Sequence, residues 1–138
     1  MHRRTIRHAA GLFLIAWIVV LLWLTVFGRS VIDRAAYLIP FTSTISMIQE
    51  APWYEIFYLL VGNIAWFIPI GFLLPLSTRI KPWHAILCGF GLSLLIEAFQ
   101  YLFSVGCTDV DDLIFNTLGT AIGALVYVIA KKKLPHLF

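Results

Sequence analysis

The chain has 138 residues, which is room for one domain of ordinary size. Hydrophobic residues make up 61% of it and charged residues only 12%, well below the roughly 25% charged that soluble domains average. This composition excludes a water-soluble globule, a disordered tail and a fibrous protein. The net charge of +3 does not indicate nucleic-acid binding, because the basic residues flank long apolar runs as they do at membrane helix ends.

Four apolar segments without Lys or Arg are each long enough for a bilayer core, which is about 30 Å thick. They predict transmembrane helices over about residues 9–27, 56–76, 84–104 and 113–130. The first run is longer than a signal peptide's apolar region and no small-residue cleavage site follows it, so we interpret it as a retained anchor. The predicted fold is an all-α membrane protein, a four-helix transmembrane bundle forming one domain over residues 1–138.

The distribution of Lys and Arg predicts the orientation of the bundle. Eight of these residues fall on the side of the two termini, and only Arg29 and Arg34 fall on the other. The positive-inside rule therefore places both termini in the cytoplasm. The first loop, residues 28–55, is then on the outer side; it is long and partly apolar, so we expect it to lie in the interface or fold over the helix ends. The other loops are short, and we therefore expect a multi-pass protein of a bacterial plasma membrane.

Glu97 is an ionisable residue inside a predicted membrane helix, which is costly and by default indicates function. It lies about 10 Å below the predicted outer surface. Ser93 and Gln100 share its helix face, since they are four and three residues away. The alternative is structural, with a protonated Glu97 acting as a hydrogen-bonded link between helices.

Asn63 lies at a similar depth on the second predicted helix, which runs in the opposite direction, so it could meet Glu97. The alternative is that Asn63 only links helices. Pro69 removes one main-chain hydrogen bond and is expected to kink this helix, and Gly71 adds flexibility.

Three carboxylates, Asp109, Asp111 and Asp112, fall within four residues at the start of the last predicted helix. Such a cluster repels itself unless a cation relieves it, and Mg²⁺ or Ca²⁺ prefers oxygen ligands of this kind, so the three are candidate metal ligands. The alternative is helix capping by Asp111 or Asp112, which would account for one of them.

The last predicted helix carries Asn116 about one turn from its start, followed by Gly119 and Gly123. Two glycines at this spacing favour close packing against another membrane helix. The polar residues of the three later helices thus converge on the outer half of the bilayer. The candidate site residues are Asn63, Glu97, Gln100, Asp109, Asp112 and Asn116.

Four short motifs occur in order along the chain. They are LIPF at 38–41, Asn63 with FIPIGF at 67–72, Ser93 with Glu97 and Gln100, and DVDD at 109–112 followed by Asn116, Thr117, Gly119 and Gly123. In this order they resemble the motifs of the VanZ-like family of small membrane proteins. The resemblance also implies structural roles for Pro40, Phe41, Pro69, Gly71, Gly119 and Gly123.

This resemblance implies an association with reduced susceptibility to the glycopeptide teicoplanin, to which no reaction is attached. One departure concerns residues 106–108, Gly-Cys-Thr, where some family members carry an Arg. If that Arg pairs with a carboxylate or phosphate in the family, this chain lacks the partner.

Three functions remain open at this point. In the first, the protein acts at the outer face on cell-envelope function or glycopeptide access: the acids bind a cation or cationic group, and the amides position a glycopeptide or a lipid-linked cell-wall precursor. In the second, it is a membrane-embedded enzyme acting on a lipid-linked phosphate with Mg²⁺ or Ca²⁺, and Glu97 is the general base. In the third, it is a non-catalytic assembly factor. The expected partners include membrane lipids and exclude nucleic acid.

Overall fold

The computed structural model describes residues 2–27 and 36–135, so Arg29 and Arg34 lie outside the described residues. Within these ranges the chain forms five α-helices and two very short strands. The helices are α1 (His2–Leu22), α2 (Thr42–Glu50), α3 (Trp53–Thr78), α4 (Pro82–Phe103) and α5 (Val110–Lys133); α1 continues as a π-helical turn over Trp23–Phe27, and the strands are β1 (Ala36–Tyr37) and β2 (Thr108–Asp109).

The predicted all-α membrane fold is confirmed. Four helices, α1, α3, α4 and α5, are long and apolar enough to cross a membrane. Two of them begin three residues before the predicted positions, α3 at Trp53 and α5 at Val110. The early start of α5 has a local cause: the Asp109 side chain accepts the Asp111 N–H at 2.8 Å and caps the helix. The alternative considered for the acidic cluster, helix capping by Asp111 or Asp112, is therefore not what the structure shows: the cap is Asp109.

Glycines allow α5 to pack directly on the backbone of α3. A Cβ atom on Gly119 or Gly123 would overlap the carbonyl oxygens of Ile64 or Ile68, and a Cβ on Gly71 would overlap that of Thr120. The glycine spacing on α5 thus marks a close helix contact, as the sequence predicts. Gly71 belongs to the same contact, which we call the glycine seam. Pro69, which precedes it, does not end the helix, since α3 continues from Trp53 to Thr78.

The two ends of the bundle differ in composition. At one end, which we call the basic end, the Arg3 side chain donates to the Pro135 carbonyl at 3.0 Å, and Arg7 donates to the Ser77 carbonyl. These bonds place the start of α1 beside the ends of α3 and α5. The opposite end, which we call the polar end, holds the starts of α3 and α5 and the end of α4.

Between the two ends lies an apolar core formed by α1, α3 and α4. Its buried side chains are Leu14, Leu21, Phe67, Ile70 and Ile96. Many other large apolar side chains are exposed along the outer faces of the four long helices. This is the distribution expected where lipid, rather than water, surrounds a helix bundle.

The described part of the first loop, residues 36–55, folds over the polar end. Strand β1 pairs in parallel with β2, with Ala36 opposite Thr108 and Tyr37 opposite Asp109, and α2 packs on α3. This agrees with the expectation that the loop covers the helix ends. It also places the loop directly beside the start of α5.

Candidate functional site

One small cavity inside the polar end brings together five of the six candidate site residues. Its volume is about 20 Å³, which is enough for one water molecule or a single small ligand group. Apolar side chains from α1, α3 and α4 close it. The polar lining consists of Asn63, Glu97, Gln100, Asp112 and Asn116, together with Thr25 from the π-helical turn. We call this the polar cavity.

Two of the lining residues connect α4 to α5. Glu97 is only 6% exposed, and its Oε2 accepts the Asp109 N–H at 2.8 Å. One turn earlier on α4, the Ser93 hydroxyl oxygen accepts a hydrogen bond from Asn116 Nδ2 at 2.9 Å. The predicted polar face of this helix is therefore turned towards α5, and its groups are held by main-chain and amide donors.

Gln100 has a buried acceptor atom to which no described residue donates. Its Nε2 donates to the Thr25 carbonyl at 2.9 Å, which fixes the orientation of the amide. The residue is 2% exposed, and within the described ranges its Oε1 has no hydrogen-bond donor. A buried polar atom of this kind is costly unless something donates to it. Gln100 lines the polar cavity, so a donor in the cavity would lower that cost.

Asn63 is hydrogen-bonded to Asp112, to which its Nδ2 donates. Asn63 and Glu97 line the same cavity, as their matching depths predict, but the Asn63 side chain is hydrogen-bonded to α5. Asn63 thereby links α3 to the first turn of α5, on the polar-end side of Gly119.

Asp111 binds the first loop to α5. Its Oδ1 accepts the Phe41 N–H at 2.6 Å, and its Oδ2 accepts from the Ser43 hydroxyl at 2.8 Å and from the N–H and hydroxyl of Thr44 at 3.2 and 2.6 Å. Phe41 adopts a left-handed conformation with φ 64°, which directs its N–H to this carboxylate. Phe41 thus has a structural role at the start of α2, where it also occupies the N-cap position.

The three clustered carboxylates have three separate roles. Asp109 caps α5, Asp111 holds the loop, and Asp112 pairs with Asn63. They border a second cavity of about 150 Å³, together with Cys107. Among residues 2–27 and 36–135, no three His, Cys, Asp or Glu side chains are grouped to hold a metal ion. The predicted metal site at Asp109, Asp111 and Asp112 is therefore not formed by these side chains.

Sequence reasoning missed three hydroxyl residues that complete this region: Thr25, Ser43 and Thr44. Thr25 has no visible signal, because it is a single hydroxyl near the end of an apolar run. The run Thr-Ser-Thr at 42–44 does carry one, since hydroxyl residues directly after a Pro-Phe pair are typical of a helix start.

An apolar groove of about 320 Å³ adjoins the polar cavity. Glu97 lines both, and Asp109 and Thr108 also border the groove. The rest of its wall is apolar and comes from the first loop, α4 and α5. These residues are Leu38, Leu94, Ala98, Tyr101, Val110 and Leu113, with Leu94 and Tyr101 themselves exposed at the side of the bundle.

Comparison with known proteins shows the family of this chain. The family model described as VanZ/LLP1 matches residues 11–131, which include every residue of the polar cavity. Protein VanZ of Enterococcus faecium is 31% identical over 127 residues, covering 84% of this chain and 71% of that protein. No solved structure matches significantly. With four membrane-spanning helices and a family match along nearly all of its length, this multi-pass membrane protein belongs to the VanZ/LLP1 family.

Proposed function

We propose that the protein acts at the outer face of a bacterial plasma membrane and lowers susceptibility to glycopeptides such as teicoplanin. In this proposal, the polar cavity binds a positively charged group, either an ammonium group, which donates hydrogen bonds, or a small cation, which the same oxygen atoms can coordinate. Glu97 and Asp112 supply the negative charge, and the amides of Asn63, Gln100 and Asn116 position the bound group. The bound group belongs to the antibiotic or accompanies a lipid-linked cell-wall precursor.

The observation that carries the proposal is the buried Oε1 of Gln100. It lines a cavity of about 20 Å³ whose other lining groups include two carboxylates. The two other amide nitrogens of the cavity do not satisfy it, since Asn63 Nδ2 donates to Asp112 and Asn116 Nδ2 donates to Ser93. The cavity is therefore matched in size and polarity to one donor group, and too small for an entire headgroup.

The apolar groove supports a lipid-linked ligand. An acyl or isoprenyl chain lying in it would place the attached polar group next to Glu97, which lines both the groove and the polar cavity. The exposed side chains at the edge of the groove make it reachable from the side of the bundle. A ligand could then enter from the membrane without crossing the first loop.

The enzyme alternative finds less support. Its divalent cation would be held by the three clustered aspartates, and each of these already accepts a hydrogen bond within the protein: Asp109 from Asp111 N–H, Asp111 from Ser43 and Asp112 from Asn63. The assembly-factor alternative predicts that the buried polar groups only hold helices together. The substitution below separates it from binding.

The test is the teicoplanin susceptibility of a sensitive Gram-positive host that expresses the wild type, Glu97→Gln or Glu55→Gln at matched membrane levels. Glu97→Gln keeps an oxygen that can accept the Asp109 N–H, so the fold is retained while the buried charge is removed. Glu55→Gln is the matched control, because Glu55 is an exposed acid in the first turn of α3.

We expect the wild type and Glu55→Gln to raise the inhibitory concentration of teicoplanin, and Glu97→Gln to leave it at the level of the empty host. Protection by Glu97→Gln equal to that of the wild type would contradict a charged binding site and favour the assembly role. No protection by the wild type would contradict the glycopeptide function itself.

A further inference from the structure

The basic end contains a cavity that shares no lining residue with the polar cavity. Its volume is about 360 Å³, and four cationic side chains line it: Arg3 and Arg7 from α1, Arg79 at the end of α3, and Lys131 from the last turn of α5. Leu76 and Tyr127 form the rest of the wall. Three helices thus contribute positive charge to one concave surface.

Within residues 2–27 and 36–135, no Asp or Glu lines this cavity. The sequence has no Asp or Glu in residues 1–32, 56–96 or 113–138, which include all of α1 and the parts of α3, α4 and α5 at this end. Like charges in one cavity repel each other, and a bound anion relieves that repulsion. Among the described residues the wall of this cavity is thus cationic and apolar, which favours an anionic ligand.

Arg3 and Arg7 are already held in place, because Arg3 donates to the Pro135 carbonyl and Arg7 to the Ser77 carbonyl. The Nε and Nη2 atoms of Arg7 donate to the Ser77 carbonyl at 3.2 and 3.1 Å, which holds a half-buried guanidinium at the cavity wall with donors to spare. Within residues 2–27 and 36–135, the Arg79 side chain has no hydrogen bond or ion pair, and Lys131 contacts only the ring of Tyr127, at 5.7 Å from its centroid. Arg79 and Lys131 are thus available to a ligand.

We propose that this cavity binds the phosphate of an anionic phospholipid headgroup in the leaflet that faces the basic end. The cavity lies where three membrane helices begin or end, which is the level of lipid headgroups. Leu76 and Tyr127 provide an apolar surface beside the cations, which suits the glycerol and first acyl carbons of a lipid better than a free anion. Basic pockets between membrane helices are known to bind anionic headgroups in this way.

A general excess of positive charge at a cytoplasmic edge is the competing explanation, and the chain contains its own control for it. Lys132 and Lys133 follow Lys131 on α5 but do not line the cavity. Two double variants can therefore be compared. Arg79→Asn/Lys131→Gln removes two positive charges that line the cavity, and Lys132→Gln/Lys133→Gln removes two from the same end that do not. Asn also tolerates the left-handed conformation of Arg79, whose φ is 65°.

The experiment measures the thermal midpoint of the purified full chain in neutral maltoside micelles during titration with phosphatidylglycerol, phosphatidylcholine or inorganic phosphate. We expect phosphatidylglycerol to raise the midpoint, and the other two to leave it unchanged. The apparent affinity for phosphatidylglycerol should fall about tenfold or more in Arg79→Asn/Lys131→Gln and less than about twofold in Lys132→Gln/Lys133→Gln.

Three outcomes would overturn the proposal. Equal weakening in the two double variants would show diffuse charge attraction instead of a site. An equal response to phosphatidylcholine would remove the requirement for an anion. Saturation by inorganic phosphate at the concentrations used for the lipid would assign the cavity to a soluble anion.

Discussion

The polar end and the basic end handle charge in opposite ways. At the polar end the carboxylates are held by neutral donors within the fold: Asp111 by the first loop, Glu97 by a main-chain N–H and Asp112 by an amide. At the basic end two arginines donate to main-chain carbonyls, and Arg79 and Lys131 remain open to a ligand.

This difference teaches that the two kinds of charge contribute differently to stability. The buried acids are part of the folded structure, because removing one leaves its buried or half-buried donors without their acceptor. The exposed cations add little to folding and are available for binding. Substitutions at the two ends should therefore differ in size as well as in kind.

The largest effect is expected for Asp111→Ala. The change removes the acceptor for two N–H groups and two hydroxyls and leaves buried donors unsatisfied, so the free energy of unfolding should fall by about 3 kcal/mol. Reversible unfolding in mixed micelles measures this. Glu50→Ala, at an exposed acid on α2, should change it by less than about 0.5 kcal/mol. Similar losses in both variants would contradict the structural role of Asp111.

A smaller loss is expected for Gly119→Ala, which tests the seam that joins the two ends. The new Cβ would overlap the Ile64 carbonyl, so α5 must move away from α3 at a cost of about 2 kcal/mol. Gly62→Ala is the control on α3, where a Cβ meets nothing within 4 Å. It should be neutral or slightly stabilising, since Ala favours a helix. A stable Gly119→Ala would mean that α3 and α5 do not meet at this glycine.

The smallest effect on folding is expected for Arg79→Asn combined with Lys131→Gln. Without anionic lipid, the free energy of unfolding should change by less than about 0.5 kcal/mol, because both side chains are exposed. Unfolding in the same neutral micelles measures it. A loss comparable to that of Asp111→Ala would show that the basic end, too, holds the fold together, and would remove the contrast between the ends.

Hydrophobic run lengths predict the four spans well, because crossing a bilayer imposes a length that few other segments meet. The helix starts are predicted less well. Asp111 and Asp112 are polar and therefore stand outside an apolar window, yet they occupy the first turn of α5 because Asp109 caps the helix before them. Hydrogen bonding, not hydropathy, decides where that helix begins.

The candidate site was predictable where helix spacing alone places residues on one face, as for Glu97 and Gln100. It was not predictable where a contact joins distant segments. Asp111 meets Ser43 across 68 positions of the sequence, and Gln100 meets Thr25 across 75. No local pattern in a single sequence encodes such pairs.

The link between Asp111 and the first loop also has a consequence for the order of assembly. Phe41, Ser43 and Thr44 precede the second span, whereas their acceptor lies on the last one. During synthesis the loop therefore cannot form its hydrogen bonds to Asp111 until α5 has been made and has entered the membrane. Docking of the loop is then among the final steps of biogenesis, and a nascent chain that stops before α5 should expose residues 41–44 to protease.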